Sequence, residues 1–280
     1  MPISRIKRKA RRIARRAKNW GRIANLTLSG NTIEKTADFK NCRKPTLMIY
    51  GFGATRRTLS IIENRLSQDG YTIFTLNLGG FFGTFNTLSI EEAAKLIDEK
   101  IEKIYKKYKI RGRLNIVGHS KGGLIGQYYI KFFGGKKRVK TFITLGTPHN
   151  GTPWCTLAKF TPLPWVCPSL KQMAPDSEFI QKLKDTKFPK KCMVYSIFSK
   201  DDTVCPYPVS VLEDGDNITN IEVFGVTHSE LLIKKNVHHA IKYALKHEIP
   251  TSWGESSKRD YQKHLKEQGG RFKIIKGMKK

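Results

Sequence analysis

The sequence is poor in acid, poor in cysteine and without a long apolar run, and each shortage narrows what it can encode. Only 23 Asp and Glu stand against 52 Lys and Arg, a net charge of +29 over 280 residues. Such an excess says nothing about fold, but it attracts polyanions, meaning anionic lipid surfaces or nucleic acid. Five cysteines, Cys42, Cys155, Cys167, Cys192 and Cys205, are too few and too scattered for a disulfide framework, and they match no zinc spacing. Cys155 and Cys167 bracket a Pro/Trp-rich stretch and would pair in an oxidising compartment; buried free thiols are the ordinary alternative. No apolar run approaches the roughly 18 residues that cross a bilayer. No apolar h-region marks a secretory signal near the N-terminus. The expectation is a cytoplasmic or peripheral membrane-associated protein.

What is present is a globular composition, 39% hydrophobic with 15 Phe and 10 Tyr, long enough for one large α/β domain or two small ones. Residues 1–40 read as a basic arm. Its first 22 residues carry ten Lys/Arg and no acid. Ile3, Ile6, Ala10, Ile13, Ala17 and Trp20 recur at spacings of three and four, which places them on one face of a helix. That pattern fits a solvated basic arm and an interfacial helix on an anionic membrane equally well; nucleic-acid contact or a targeting presequence is a lesser alternative.

From Thr46 onward, strands alternate with helices. "TLMIYGF", "YTIFTLNL", "RLNIVGHS", "VKTFITLG", "KCMVYSIFS" and "NITNIEVFGV" read as strands. Between and after them lie helices: "RRTLSIIENRLSQDG", "SIEEAAKLIDEKIEKIYKKYK" with a capping box at Ser89 and Glu92, "KGGLIGQYYIKFF", and a last one from about Ser229 to His247. This alternation predicts an α/β fold with a mostly parallel central sheet flanked by helices. The main domain is expected over 41–250, and 251–280 as a basic C-terminal tail.

Gly118-His119-Ser120-Lys121-Gly122 fits a G-x-S-x-G nucleophile elbow, entered from an apolar strand and left through a small-residue helix start. A serine hydroxyl needs a base to take its proton and a carboxylate to orient that base. Further along, "KDDTVCP" follows one strand and "THSELL", with His228, follows the next. Acids in loops and histidines near helix starts are ordinarily solvated, but here three such residues stand in the required order at three strand ends.

With these motifs the chain resembles the α/β-hydrolase superfamily, in its lipase and esterase group. The resemblance rests on "IYGFGA" (49–54), "NIVGHSKGG" (115–123), "TLGTPHNGT" (144–152), "SKDDTVCP" (199–206) and "GVTHSELL" (225–232), and spans about Pro45 to Leu245. It implies an α/β-hydrolase fold with a lid or cap insertion at about 150–190 and basic terminal extensions. It also implies a serine hydrolase cleaving carboxylic esters of lipids through an acyl-serine. Ser120 would be the nucleophile, His228 the base and Asp201 the acid, since the family places its acid three residues before a valine; Asp202 is the runner-up. Oxyanion donors would be the backbone N–H groups of Phe52 and Lys121.

Two residues depart from the family pattern. Tyr50 stands where relatives have histidine, which leaves the anchoring of the oxyanion loop open. Lys121 stands where an uncharged residue is usual, its ammonium expected to face solvent or, less readily, to hold an anionic head group. His119 is expected to point away from the nucleophile, and His149 has the wrong chain order for the base. Trp154, Phe160, Leu163, Trp165 and Val166 supply apolar surface for a lid, or equally for a loop packed onto the core.

The implied partners are a lipid or other ester substrate and an anionic membrane surface through the N-terminal helix. No metal, cofactor or specific nucleic acid is expected. The same three residues would also serve an acyltransferase or thioesterase. A non-catalytic polyanion- or membrane-binding protein on a hydrolase core is the remaining alternative.

Overall fold

The computed structural model describes residues 3–28, 37–79, 86–158, 161, 167–246 and 272–275. In chain order the elements are α1 (Ile3–Leu28), β1 (Thr46–Ile49), a 3₁₀ turn (Arg56–Leu59), α2 (Ser60–Gln68), β2 (Ile73–Thr75), α3 (Ile90–Tyr108), β3 (Leu114–His119), α4 (Lys121–Phe132), α5 (Gly135–Arg138) and β4 (Val139–Leu145). There follow α6 (Pro153–Ala158), α7 (Ser169–Gln172), α8 (Glu178–Asp185), β5 (Met193–Phe198), β6 (Ile218–Val223), a 3₁₀ turn (Ser229–Leu232), α9 (Lys235–Lys246) and β7 (Phe272–Ile275).

The sheet runs β2-β1-β3-β4-β5-β6-β7. Its first six strands are mutually parallel, and β7 pairs antiparallel with β6 through Asn220↔Ile275 to Val223↔Phe272. β1 and β3 are buried along their whole length, because helices cover both faces and each side chain of the pleat meets one of them. All six strands expected from the apolar runs are present. The seventh strand is present but was not expected: Phe272–Ile275 lies in the stretch read as a tail and closes the sheet edge beyond β6.

α3 carries the capping box read from its sequence. Glu92 N–H donates to Ser89 Oγ at 3.2 Å, and Ser89 N–H donates to Glu92 Oε2 at 3.1 Å. The helix buries Ile90, Ala93, Ala94, Ile97, Ile101 and Tyr105, a stripe at three- and four-residue spacing. The helix expected over 229–247 splits into the 3₁₀ turn and α9.

Parallel strands send their following loops to one edge of the sheet, which gathers residues 50–55, 120, 146–152, 199–206 and 224–228 there. α1 lies against that same rim. Asn19 Nδ2 donates to Glu230 Oε1 at 2.7 Å, Thr55 Oγ1 donates to the Thr27 carbonyl at 3.3 Å, and Arg16 Nη2 lies 3.7 Å from Asp201 Oδ1. It docks, therefore, by Arg16, Asn19 and Thr27, while Ile13 and Trp20 of the apolar stripe face outward, as does Leu28 beyond it, Trp20 at 68% exposure.

Candidate active site

Ser120 sits between β3 and α4 with φ 54 and ψ −128, a backbone conformation that side chains other than glycine rarely adopt. Its carbonyl accepts from Gly123 N–H at 3.0 Å and from Thr147 Oγ1 at 3.0 Å, and its N–H donates to the Leu145 carbonyl at 2.9 Å. These bonds hold the strain in place.

The flanking glycines are there for space. A Cβ on Gly118 would come within 2.7 Å of Gly122 O, one on Gly122 would overlap the Ile49 carbonyl, and one on Gly123 would overlap Thr147. Gly122→Ala should lower the melting temperature by about 10 °C or more, because rigid backbone blocks the methyl group. Gly21→Ala, in open space on α1, should leave the melting temperature unchanged or slightly raised. Differential scanning fluorimetry of the two variants checks the contrast.

The loops that carry His228 and Asp202 converge beside the elbow. His228 Nδ1 meets Asp202 Oδ2 at 2.7 Å. Gly146, at φ +53, is bare because a Cβ there would stand 2.8 Å from Asp202 Oδ2 and 3.2 Å from His228 Nδ1. The glycine of "LGTPHNG" thus makes room for the histidine–carboxylate pair. Asp202 Oδ1 accepts from the N–H groups of Val204 and Cys205, both at 2.9 Å, so every carboxylate oxygen is used.

This corrects the expected acid. The carboxylate against His228 belongs to Asp202 and not to Asp201. Asp201 turns outward, its side chain 44% exposed, with Oδ2 accepting from Gly225 N–H at 3.1 Å and Oδ1 toward Arg16. The reason is a tight turn after β5: Asp202 N–H bonds Ser199 O at 3.2 Å and Asp201 N–H bonds Ser199 Oγ at 3.2 Å, which sends consecutive side chains to opposite sides.

The loop expected to carry an oxyanion donor abuts Ser120. A Cβ on Gly51 would lie 2.9 Å from Ser120 Cβ, so the backbone leading into Phe52 passes directly over the serine. Lys121 opens α4, where the first N–H groups have no partner within the helix. The anchoring left open by Tyr50 is supplied by Asn86, whose Nδ2 donates to the Tyr50 carbonyl at 2.8 Å, while Tyr50 OH accepts from Leu78 N–H at 3.0 Å.

Four further side chains surround the site, and of these Lys121 departs from expectation. Lys121 does not face solvent: it is fully buried, and burial lowers its pKa to about 7, against the opposing pull of Cys167 and Glu92. The His119 ring packs at a tilt of 45° against that of His228, with centroids 4.7 Å apart, and its Nε2 lies 3.3 Å from the His228 carbonyl. Burial, with His228 beside it, holds His119 well below the ordinary histidine pKa, so it is neutral and supports the His228 backbone as a donor. Cys205 is a neighbour that the sequence did not flag. Burial first, then Asp202 and Cys155, push its thiol well above the usual range, and the adjacent Ser120 hydroxyl opposes them. His149 is locked in the core between Thr144 Oγ1 and Gln127 Oε1, each at 2.9 Å, with its pKa lowered by burial to about 3.

Of the insertion, Trp154 and Leu157 on α6 are exposed, and Trp154 Nε1 donates to the Thr203 carbonyl at 3.0 Å. Phe160, Leu163, Trp165 and Val166 lie outside the described residues. Cys155 and Cys167 are not paired; both thiols are free. No described helix is long and apolar enough to cross a membrane.

A seven-stranded, mostly parallel sheet with a strained serine elbow after β3 and a histidine–carboxylate pair at the same rim is the α/β-hydrolase fold, the fold that lipases and esterases share. A family model described as the PGAP1-like alpha/beta domain matches residues 10–161, just over half of the sequence, and the chain belongs to that family. A triacylglycerol lipase of Burkholderia plantarii is 24% identical over 155 residues, 50% of this chain and 42% of the relative. The match therefore spans less than half of that relative's length. Among solved structures, lipase B of Aspergillus fumigatus superposes with a TM-score of 0.62 at 19% identity, over 80% of this chain and 57% of that one. The mature lipase BlEst2 of Bacillus licheniformis gives 0.59 at 15%, over 77% and 96%. At such identities the superpositions establish the fold.

Proposed function

We propose that this protein is a serine hydrolase that cleaves carboxylic ester bonds of lipids. The observation that carries the reading is the 2.7 Å pair between His228 Nδ1 and Asp202 Oδ2, set beside the strained Ser120 elbow. With Nδ1–H directed at the carboxylate, Nε2 is left as an acceptor. It takes the Ser120 proton as Oγ adds to the acyl carbonyl. The oxyanion is stabilised by the N–H groups of Phe52 and Lys121. Collapse expels the alcohol, protonated by the His228 imidazolium, and leaves an acyl-serine. Water, deprotonated by the same imidazole, then releases the acid.

The placement of α1 favours an interfacial substrate. It lies on the rim that holds the site and turns Ile13, Trp20 and Leu28 outward, alongside the exposed cations Arg15, Lys18 and Arg22. Each Lys or Arg near an anionic leaflet contributes about 1 kcal/mol, and the exposed Trp20 indole adds apolar area for insertion. This helix would hold the site mouth at the bilayer.

Two measurements test the reading together. The protein is assayed against p-nitrophenyl esters from acetate to palmitate; rising kcat/KM with chain length is expected, whereas a maximum at acetate removes the lipid substrate. Co-sedimentation is then measured with phosphatidylcholine vesicles with and without 30% phosphatidylserine. Binding to the anionic vesicles should fall at least fivefold in Trp20→Ala/Lys18→Glu; unchanged binding removes α1 as the membrane contact.

A further inference from the structure

The residue that follows the nucleophile does a second thing with its side chain. Lys121 Nζ, wholly enclosed, donates to Asn86 Oδ1 at 3.0 Å, the Asn86 carbonyl at 3.2 Å and the Leu88 carbonyl at 2.5 Å. Three ammonium protons meet three oxygens, so the buried cation is satisfied without a carboxylate. Asn86, equally enclosed, passes the restraint on to the oxyanion loop. Its Nδ2 donates to the Tyr50 carbonyl at 2.8 Å, its carbonyl accepts from Gly53 N–H at 3.3 Å, and its N–H donates to the Ala54 carbonyl at 3.4 Å. The bonds bracket Phe52 on both sides in the chain. The Phe52 ring itself lies 5.8 Å from Nζ.

We propose that the Lys121 ammonium, acting through Asn86, is a positioning group for the oxyanion hole, fixing the Tyr50–Ala54 backbone so that the Phe52 N–H points at the position of the developing charge. The inference rests on the serine-hydrolase reading above. One residue then links both halves of the hole: its N–H is one donor, and its side chain sets the other. An oxyanion donor is worth most when it is held in place before the charge develops, because it then costs no reorganisation during reaction. A lysine is suited to this bracket because a single Nζ can reach three carbonyl-type oxygens that converge from one segment.

The bracket predicts a loss confined to the transition state. Removing one oxyanion-hole donor lowers kcat about 10²–10³-fold, and displacing one should lower it by about 10–100-fold. In Lys121→Met, kcat for p-nitrophenyl butyrate should fall in that range, with KM within about threefold of wild type. Affinity for an alkyl trifluoromethyl ketone, whose serine adduct carries the oxyanion, should weaken in proportion to kcat. Asn86→Ala should show the same pattern, and the double variant should lose no more than the worse single one, because the two residues act as one unit.

Lys121→Gln, whose amide keeps two N–H donors for the Asn86 and Leu88 oxygens in place of three, covers the case in which Lys121→Met fails to fold. It should keep more activity than Lys121→Met where both fold, and still show the kcat-only loss. A folded Lys121→Met or Lys121→Gln with wild-type kcat overturns the inference. So does a loss that falls on KM alone, or kcat losses that multiply in the double variant. Absence of esterase activity and of fluorophosphonate labelling in the wild type would instead strike the serine-hydrolase reading, so the two failures are distinguishable.

Discussion

Ser120→Ala should abolish ester hydrolysis, with kcat for p-nitrophenyl butyrate falling by about 10⁴–10⁶-fold and fluorophosphonate labelling lost. The size follows from the chemistry, since the acyl-enzyme route needs the Oγ itself. What survives is the small acceleration from binding and the oxyanion donors acting on water. The fold should be unaffected. The bonds that hold the elbow, Ser120 N–H to Leu145 O and the two acceptances by Ser120 O, are all backbone groups on the serine side. Alanine meets the same strain at φ 54 that serine does. Ser120→Gly is the informative companion: it is equally inactive, but it relieves a conformation that costs roughly 1–3 kcal/mol, so its melting temperature should exceed that of Ser120→Ala. Residual turnover in Ser120→Ala above one per cent would place the nucleophile elsewhere.

What the sequence disclosed depended on whether a residue's role is set locally. The six parallel strands were legible because buried strands are apolar runs, and the elbow because its glycines are dictated by contacts within a few residues, at Gly118 and Gly122, or with the adjacent strand end at Ile49. His228 was legible from its place after β6. Lys121 was misread because a charged side chain is ordinarily solvated. The oxygens that bury it come from Asn86 and Leu88, over thirty residues earlier, and nothing in the local pattern announces them. The apolar stripe of α1 was visible, but not that the helix would dock by Asn19 and Thr27 and leave Trp20 outside. β7 went unseen because four residues in a basic tail carry too little pattern, and edge pairing with β6 is decided by tertiary contact.

Asp201 and Asp202 pose the same problem at its sharpest: adjacent, identical residues in a turn, separated in role only by which way the backbone aims them. Asp202→Asn should lower kcat by about 10³–10⁴-fold, and Asp201→Asn should leave it within about threefold of wild type. At position 202 the amide oxygen can keep both bonds from Val204 and Cys205 N–H, which accept no substitute in geometry but do not require charge. The amide nitrogen then faces His228 Nδ1 as a donor. Nδ1 must accept, Nε2 must carry the proton, and the imidazole can no longer take one from Ser120. At position 201 the amide oxygen still accepts from Gly225 N–H, and the only loss is the half-exposed contact with Arg16 at 3.7 Å, worth about 0–1 kcal/mol. The deficit in Asp202→Asn should be in kcat with an intact melting curve. If Asp201→Asn were the inactive variant instead, Asp201 and not Asp202 would have to face His228, which would overturn the assignment.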